Sequence, residues 1–266
     1  MVALRGSRFN TGTMMEEAVA VGAAATGHFG GCHATPHDLN APKVLSPADT
    51  DTMSRYSFPY SVMVNSEGRR FMDEGENVFS LTYAKTGAAI VKQPHATAFQ
   101  VFDQKTLHLL EPRYAVASPI EADSLEELAG KMGVDVNAFC STVKEYNSAT
   151  ARDAADRFNA FTLDGVSTGT ALPIPKSNWA LPLDKAPFVA YGVTCGITFT
   201  YGGLRTDDAA RVLNNEGLVM PGLWAVGEIA GGFFAFNYPG GSGLTKGAVF
   251  GKIAGQAAAE RAKSVN

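Results

Sequence analysis

The sequence predicts an α/β fold with an inserted α+β segment. Its C-terminal part alternates short apolar runs with glycine turns and closes in a helix, a pattern typical of α/β domains. Its middle part carries two capped amphipathic helices, predicted at 123–132 and 135–150, beside strand candidates. A proline-rich passage at 172–182 lies between the two parts, so composition places a boundary near residue 185.

The remaining elements follow from caps, turns and strand-forming runs. A first helix is expected after Asn10, Thr11 or Thr13, with its end near Gly27. Residues 27–38 are expected to form a loop, because glycines and a proline interrupt regular structure there. Strand signals predict a hairpin at 61–72 around the turn 65–68, and further strands at 96–102, 188–200, 203–205, 211–213 and 223–228.

Composition and charge narrow the classes of partner. The chain has 266 residues, of which 45% are hydrophobic, and it carries a formal net charge of -4. An acidic protein lacks the usual electrostatic reason to bind nucleic acid or an anionic membrane, so a small molecule or a protein is the expected partner. The three cysteines, Cys32, Cys140 and Cys195, form no Cys-x-x-Cys pair and fit a reducing cytoplasm. No apolar run approaches the ~20 residues of a membrane span.

The clearest chemical signal is a strand, a loop and a helix near the C-terminus. An apolar run at 221–228 ends in a glutamate, and a glycine-rich loop then opens the last helix. A carboxylate at a strand end can accept hydroxyl hydrogens from a ribityl chain, and a helix start offers N–H groups to the carbonyl edge of a flavin ring. The alternative is a purely structural strand, loop and helix. The candidate cofactor-binding residues are Gly227, Glu228, Gly241, Ser242, Gly243 and Leu244.

This motif resembles the C-terminal motif of the succinate dehydrogenase/fumarate reductase flavoprotein family. The likeness extends over nearly the whole chain and is strongest towards the tricarballylate dehydrogenase-like branch, at residues 5–12, 30–36, 64–75, 82–85 and 176–180. The resemblance implies FAD as cofactor and a reaction at a C–C or C=C bond next to carboxylates. It also implies a substrate-capping domain at 41–184, inserted between flavin-domain segments at 1–40 and 185–266, which together form part of the flavin-domain sheet.

The nucleotide-binding motif of such proteins is absent from the chain. No Gly-x-Gly-x-x-Gly follows a strand, so no obvious cradle for the pyrophosphate of FAD is present. In the family this part lies upstream of the segment that the chain resembles. The chain is therefore expected to be either a piece that lacks its N-terminal half or a natural short relative that no longer binds FAD stably. A homo-oligomer is a further possibility.

The resemblance also points to substrate-side residues. In the family, histidines and an arginine hold the substrate carboxylates, whereas here Phe199 replaces one histidine and Tyr238 replaces the arginine. His33 falls at the position of a substrate-side histidine, the alternative being a loop histidine bonded to backbone groups. His33 and Tyr238 are candidate catalytic residues. Thr198 and Arg205 are candidate substrate-binding residues, the alternative for Arg205 being a surface arginine in a turn.

Tyr83 is the candidate for proton transfer. The proton-donor arginine of the family has no counterpart at 74–82, and Tyr83 and Lys85 are the groups near this stretch that can exchange a proton. A free tyrosine has a pKa of about 10, so a cation such as Lys85 or Arg70 would have to lower it. Lys85 lies on the same side as Tyr83 only if the segment is extended. The alternative role of Tyr83 is aromatic packing under the cap.

Two other functions remain open at this stage. A cofactor-free isomerase or lyase could keep the pocket and the acid/base residues, and a non-catalytic binding protein could keep only the scaffold. In each case the expected ligand is a small carboxylate or another small molecule. No metal site is predicted, because the spacing of His28, His33 and His37 crosses glycines and a proline.

Overall fold

The chain folds into two compact units. The computed structural model describes residues 2–49 and 51–265. Unit 1 comprises residues 2–5, 34–49 and 51–196, and unit 2 comprises residues 6–33 and 197–265. The assignment of flavin and capping roles to 1–40, 41–184 and 185–266 stays a prediction.

The secondary structure is mixed throughout the described residues. The strands are β1 (Ala3–Leu4), β2 (Ala25–Thr26), β3 (Cys32–Asp38), β4 (Val62–Asn65), β5 (Ala98–Phe102), β6 (Ile120–Ala122), β7 (Phe188–Thr200), β8 (Gly203–Leu204), β9 (Arg211–Leu213) and β10 (Val219–Trp224). The helices are α1 (Thr13–Ala20), α2 (Phe79–Val91), α3 (Leu125–Met132), α4 (Val136–Ala149), α5 (Ala154–Arg157) and α6 (Ser242–Val265). Short 3-10 turns lie at Phe58–Tyr60, Pro94–Ala96, Leu107–Leu109, Pro112–Val116 and Gly227–Ile229.

A six-stranded sheet forms the centre of unit 1. β7 pairs with β1, β3, β5 and β6, while β4 pairs with β5. β4, β5 and β7 run antiparallel, with Val62 opposite Val101 and Val101 opposite Ala190. β7 forms where β-branched and aromatic residues predominate, since these side chains pack well on a pleated surface. The strands predicted at 96–102 and 188–200 are confirmed.

The main core of unit 1 joins the sheet to α3 and α4. Both helices begin at the caps that the sequence predicts: Ser124 Oγ accepts the Glu127 N–H at 3.1 Å, and Asp135 accepts the Ala138 N–H at 2.7 Å. These caps fix where each helix starts and therefore which residues face the core. The buried cluster includes Val62, Val64, Phe99, Val101, Leu128, Phe139, Val143, Tyr146 and Phe188.

Unit 2 contains two small sheets and the helices α1 and α6. β2 pairs with β8, with Ala25 opposite Leu204, and β9 pairs with β10. Glycine is required where backbones cross, because a Cβ at Gly203 would lie 2.3 Å from the Ile229 carbonyl oxygen. One buried apolar cluster of unit 2 consists of Ala18, Ala23, Leu204, Val212 and Ala225.

The loop predicted at 27–38 is wrong for its second half, which forms strand β3. Pro36 favours an interruption of regular structure, but a strand position tolerates proline when its missing N–H is not needed. Here the Pro36 carbonyl accepts the Arg55 N–H at 3.0 Å. Glycine-rich residues 27–31 do remain outside regular structure.

Two further predictions were wrong in part. The hairpin forms only its first strand and turn, since β4 pairs with β5 and Arg70 turns its side chain to Glu74 instead of continuing a second strand. The first helix is shorter than expected. It begins after Gly12, whose left-handed backbone forms the N-cap without a side-chain hydrogen bond, and it ends before Gly22.

A buried ion cluster fixes the segment that follows β4 in unit 1. The fully buried Glu74 carboxylate accepts the Met63 N–H at 2.8 Å and Arg70 Nη2 at 2.6 Å. Lys176 is also buried, and its ammonium donates to the Ser61 carbonyl. Burial lowers the pKa of Lys176 to about 8, although Glu74 acts to raise it. Removing one member leaves the other charges buried without their partner.

Replacing Glu74 by alanine is expected to lower the free energy of unfolding by roughly 3–5 kcal/mol, because Arg70 stays buried without its carboxylate. Urea titration followed by circular dichroism measures the change. The matched control is Glu127→Ala, which removes an exposed i,i+4 pair with Lys131 and should shift the midpoint little. Equal small shifts for both variants would contradict a structural role for the cluster.

Candidate functional site

All predicted site residues except Tyr83 lie in unit 2. They come from five separate stretches: the start of β3, the end of β7, the residue after β8, the turn Gly227–Ile229, and the loop and first turn of α6. The fold of unit 2 thus brings onto one body residues that are far apart in the sequence. Tyr83 lies in unit 1.

Glu228 is held by neutral donors from two other segments of unit 2. It sits in the turn after β10, where Gly227 has a φ of 72°, a conformation that suits glycine. One carboxylate oxygen accepts the Thr200 N–H at 2.8 Å and the Thr200 hydroxyl at 3.3 Å. The other oxygen accepts a hydrogen bond from the Asn10 side-chain amide. Within the described residues no arginine or lysine forms an ion pair with Glu228, so its charge is held in place without being neutralised.

Glu228 lines a surface pocket of about 180 Å³. The start of α1 forms another part of the wall, where Gly12 has a φ of 83° and no side chain caps the helix. The first turn of a helix carries N–H groups without intrahelical partners and the positive end of the helix dipole. The pocket therefore combines a fixed acceptor with backbone donors. It is lined by residues 9–15, Thr200, Gly202, Glu228 and Ile229.

The glycine loop before α6 is open on its outer side. Gly241 has a φ of 82°, and no atom lies within 4 Å of where its Cβ would be. Leu244 is 83% exposed. Ser242 begins the helix and donates its hydroxyl to the Pro239 carbonyl at 2.5 Å. The Gly243 N–H is already engaged, since it donates to the Tyr238 hydroxyl at 2.8 Å.

His33 and Tyr238 meet in an aromatic cluster of unit 2. The His33 ring stacks on Phe199 with centroids 4.8 Å apart, and the Tyr238 ring meets it edge-on at 4.3 Å. Both residues are buried, and Tyr201 and Phe234 extend the cluster. The rings around His33 in this cluster, Phe199 and Tyr238, carry no positive charge that would hold a carboxylate. Tyr238 also links it to the start of α6 through Gly243.

The two predicted substrate residues occupy different settings. Arg205 is exposed, while its backbone N–H donates to the Ala24 carbonyl at 2.8 Å, which agrees with the surface alternative. Thr198 is partly buried near the end of β7. Its carbonyl oxygen lies against Gly6, where a Cβ would approach it to 1.9 Å, so the backbone crossing at this point requires glycine.

Tyr83 lies on helix α2 of unit 1 and is 7% exposed. Its ring packs against Tyr56 with centroids 5.0 Å apart. The proposed activation by Lys85 is wrong, because the segment is helical and side chains two residues apart on a helix point to different sides. Lys85 instead pairs with Glu76, and Arg70 belongs to the cluster around Glu74.

Two residues that fix Glu228 carry no signal of this role in the sequence. The sequence offers Asn10 only as a helix cap, but its side-chain amide donates to Glu228, and no side chain accepts an N–H at the start of α1. Thr200 was assigned only to a strand. Contacts of this kind join positions separated by 218 and 28 residues, and they depend on how the segments fold together.

The donors and acceptors of unit 2 fit one half of FAD. Glu228 offers an acceptor for ribityl hydroxyls, and the open loop at Gly241 with the start of α6 offers donors to a ring carbonyl. Two of these donors are already engaged, since the Gly243 N–H donates to the Tyr238 hydroxyl and the Ser242 N–H donates to the Pro239 carbonyl at 3.2 Å. The other half is not matched in the same way, since the sequence has no Gly-x-Gly-x-x-Gly cradle for the pyrophosphate.

Comparison with known proteins agrees with this fit. The family model described as FAD binding domain matches residues 4–244. The chain is 32% identical over 206 residues to a fumarate reductase (cytochrome) of Shewanella frigidimarina, an alignment covering 76% of this chain and 32% of that protein. It is also 32% identical over 201 residues to an NADH:acrylate oxidoreductase of Vibrio harveyi, covering 75% and 18%.

A solved structure supports the same relationship. The open conformation of a flavocytochrome c3 fumarate reductase matches with a TM-score of 0.64 and 25% identity, over 97% of this chain and 42% of that chain. The chain therefore spans less than half the length of the relatives described here. Within the described residues, no helix is long and apolar enough to cross a membrane, and no group of three or more His, Cys, Asp or Glu side chains could hold a metal ion.

The predicted α/β fold class is confirmed by the mixed α/β structure and its solved neighbours. FAD is the cofactor that the matching family model and the fumarate reductase relatives imply. The chain belongs to the FAD-dependent flavoprotein oxidoreductase family that includes the fumarate reductases.

Proposed function

We propose that the chain is the ring-binding part of an FAD-dependent oxidoreductase that acts on a C–C or C=C bond next to a carboxylate. The observation that carries this proposal is the Glu228 carboxylate, fixed by Thr200 and Asn10 in a pocket shared with the start of α1. The relatives support the reaction class, because fumarate and acrylate are both unsaturated carboxylates. A tricarballylate-like substrate is the finer proposal and rests on the sequence motifs.

Each residue of unit 2 has a defined role in this proposal. Glu228 accepts hydrogen bonds from ribityl hydroxyls and so orients the cofactor. The loop at Gly241 and the N–H groups at the start of α6 stabilise negative charge at the carbonyl edge of the ring. Bound flavin supplies hydride transfer to or from a substrate carbon. His33 and Tyr238 offer the substrate an aromatic surface.

The proton on the adjacent carbon needs an acid or base, and we assign this role to Tyr83. The hydroxyl of Tyr83 can exchange a proton, whereas the neighbouring Lys85 is engaged by Glu76. Lys85 and Arg70, the two cations expected to lower the pKa of Tyr83, pair with Glu76 and Glu74 instead. Its phenol is therefore proposed to act as a proton donor, which is the role of the protonated form.

The chain by itself is expected to purify without FAD. It keeps groups for the ring and ribityl chain, but each missing hydrogen bond to the charged pyrophosphate removes roughly 1.5–3 kcal/mol of interaction. The absorption spectrum of the purified protein measures retained flavin. A yellow preparation with one tightly bound FAD per chain would contradict this expectation and would mean that other groups hold the pyrophosphate.

Glu228→Gln is expected to weaken binding of added FAD by about tenfold, because an amide is a weaker acceptor and turns a donor towards Thr200 or the ribityl chain. Quenching of flavin fluorescence in a titration gives the dissociation constants. The control is Glu216→Gln, in the exposed turn after β9. If both variants bind FAD as the unaltered chain does, the pocket at Glu228 is not the cofactor site.

Tyr83→Phe is expected to lower turnover of the flavin-loaded enzyme by roughly 10²- to 10⁴-fold, with substrate affinity and folding nearly unchanged. The reason is that phenylalanine keeps the packing against Tyr56 but cannot donate a proton. Steady-state rates with an unsaturated carboxylate measure the effect, and Tyr56→Phe serves as the control for a buried tyrosine of the same cluster. Full activity of Tyr83→Phe would return this residue to a packing role.

One observation favours the rival functions. The Tyr238 hydroxyl accepts the Gly243 N–H, which is a donor that a flavin edge would otherwise use. A cofactor-free isomerase or lyase, or a binding protein, would retain such an internal bond. In that case added flavin would not bind, whereas a small carboxylate would.

A further inference from the structure

Lys246 is a cation on the inner face of α6. The ammonium donates to the Ala230 carbonyl at 2.8 Å and lies 4.3 Å from the centroid of the Phe233 ring. Its side chain is half-buried. A Cβ added to Gly247, the next residue, would lie 3.9 Å from the Gly227 Cα. This face of α6 therefore packs against the turn that carries Glu228.

This position is unfavourable for a lysine by several physical criteria. Within the described residues no carboxylate forms an ion pair with Lys246, although the buried side of the helix withdraws it from water. Burial lowers the pKa of Lys246, and the negative charge of Glu228 acts in the opposite direction. The start of a helix also repels a cation, because its dipole is positive there. One hydrogen bond and one ring contact offset only part of these costs.

The geometry relates Lys246 to the proposed ring site. Lys246 is three residues after Gly243, so both lie on the same face of α6. Side chains on a helix lean towards its N-terminus, which directs the ammonium back towards the glycine loop. Ala230, which accepts its hydrogen bond, is two residues from Glu228. The charge therefore interacts with Glu228, and it lies on the face of α6 that follows the glycine loop.

We propose that the Lys246 ammonium raises the affinity for reduced flavin relative to the affinity for oxidised flavin. The proposal rests on the proposed function and adds a residue that the sequence motifs do not mark. On reduction the carbonyl edge of the ring gains negative charge, and a half-buried cation stabilises that charge more than it would in water. Bound flavin thereby becomes easier to reduce.

The test compares binding of oxidised FAD with binding of dithionite-reduced FAD under anaerobic conditions. Equilibrium dialysis of the full chain gives both dissociation constants for the unaltered protein and for Lys246→Met, which keeps length and apolar contact but removes the charge. In Lys246→Met, the dissociation constant of reduced FAD is expected to rise about tenfold relative to that of oxidised FAD, which corresponds to roughly 1.4 kcal/mol. Lys252→Met, at an exposed position of the same helix, should leave the ratio unchanged, and Lys246→Arg should restore it.

The outcomes separate this inference from the function on which it rests. If Lys246→Met weakens both forms of FAD equally, Lys246 only holds α6 against Ala230 and the inference is overturned while the flavin site stands. An unchanged ratio with unchanged affinities overturns it in the same way. If neither form binds the unaltered chain at any concentration tested, the proposed function fails at the flavin site itself, and the inference fails with it.

Discussion

The site of unit 2 depends on one carboxylate that is fixed without being neutralised. Glu228 receives the Thr200 amide, the Thr200 hydroxyl and the Asn10 amide, and thereby joins the end of β7, the segment before α1 and the turn after β10. Neutral donors orient a carboxylate without cancelling its charge, whereas an ion pair would neutralise it. The same contacts shape the pocket beside the start of α1.

How far the sequence predicts this structure depends on whether a signal is local. Ser124 and Asp135 predict the starts of α3 and α4, because a capping side chain bonds to a backbone N–H three residues away. The β-branched run 188–200 predicts β7. Strand β3 was not predicted because of Pro36. Proline only lacks a backbone N–H donor, and whether a strand needs that donor depends on its pairing with strands distant in the sequence. The order of the C-terminal motif pointed to Glu228, but its partner Asn10 comes from the other end of the chain.

The chain has candidate groups for the ring and ribityl part of FAD but no recognisable motif for its pyrophosphate. In the proposed site, backbone donors and a carboxylate of unit 2 hold the ring and ribityl chain, while the pyrophosphate has no matching glycine motif in the sequence. The relatives described here are more than twice as long as the chain, so their complete activities belong to larger proteins. The internal bond between Tyr238 and Gly243 marks the point at which a bound ring and a self-contained pocket would differ.

If unit 2 recognises the ring and ribityl part of a flavin and not its nucleotide part, riboflavin and FAD should bind to it with similar affinity. The most direct measurement is therefore a comparison of riboflavin with FAD in titrations of the same protein. The dissociation constants of riboflavin and FAD are expected to lie within a few-fold of each other, because the additional phosphates and adenosine of FAD find few donors. A much tighter affinity for FAD would contradict the account, and so would binding of neither ligand.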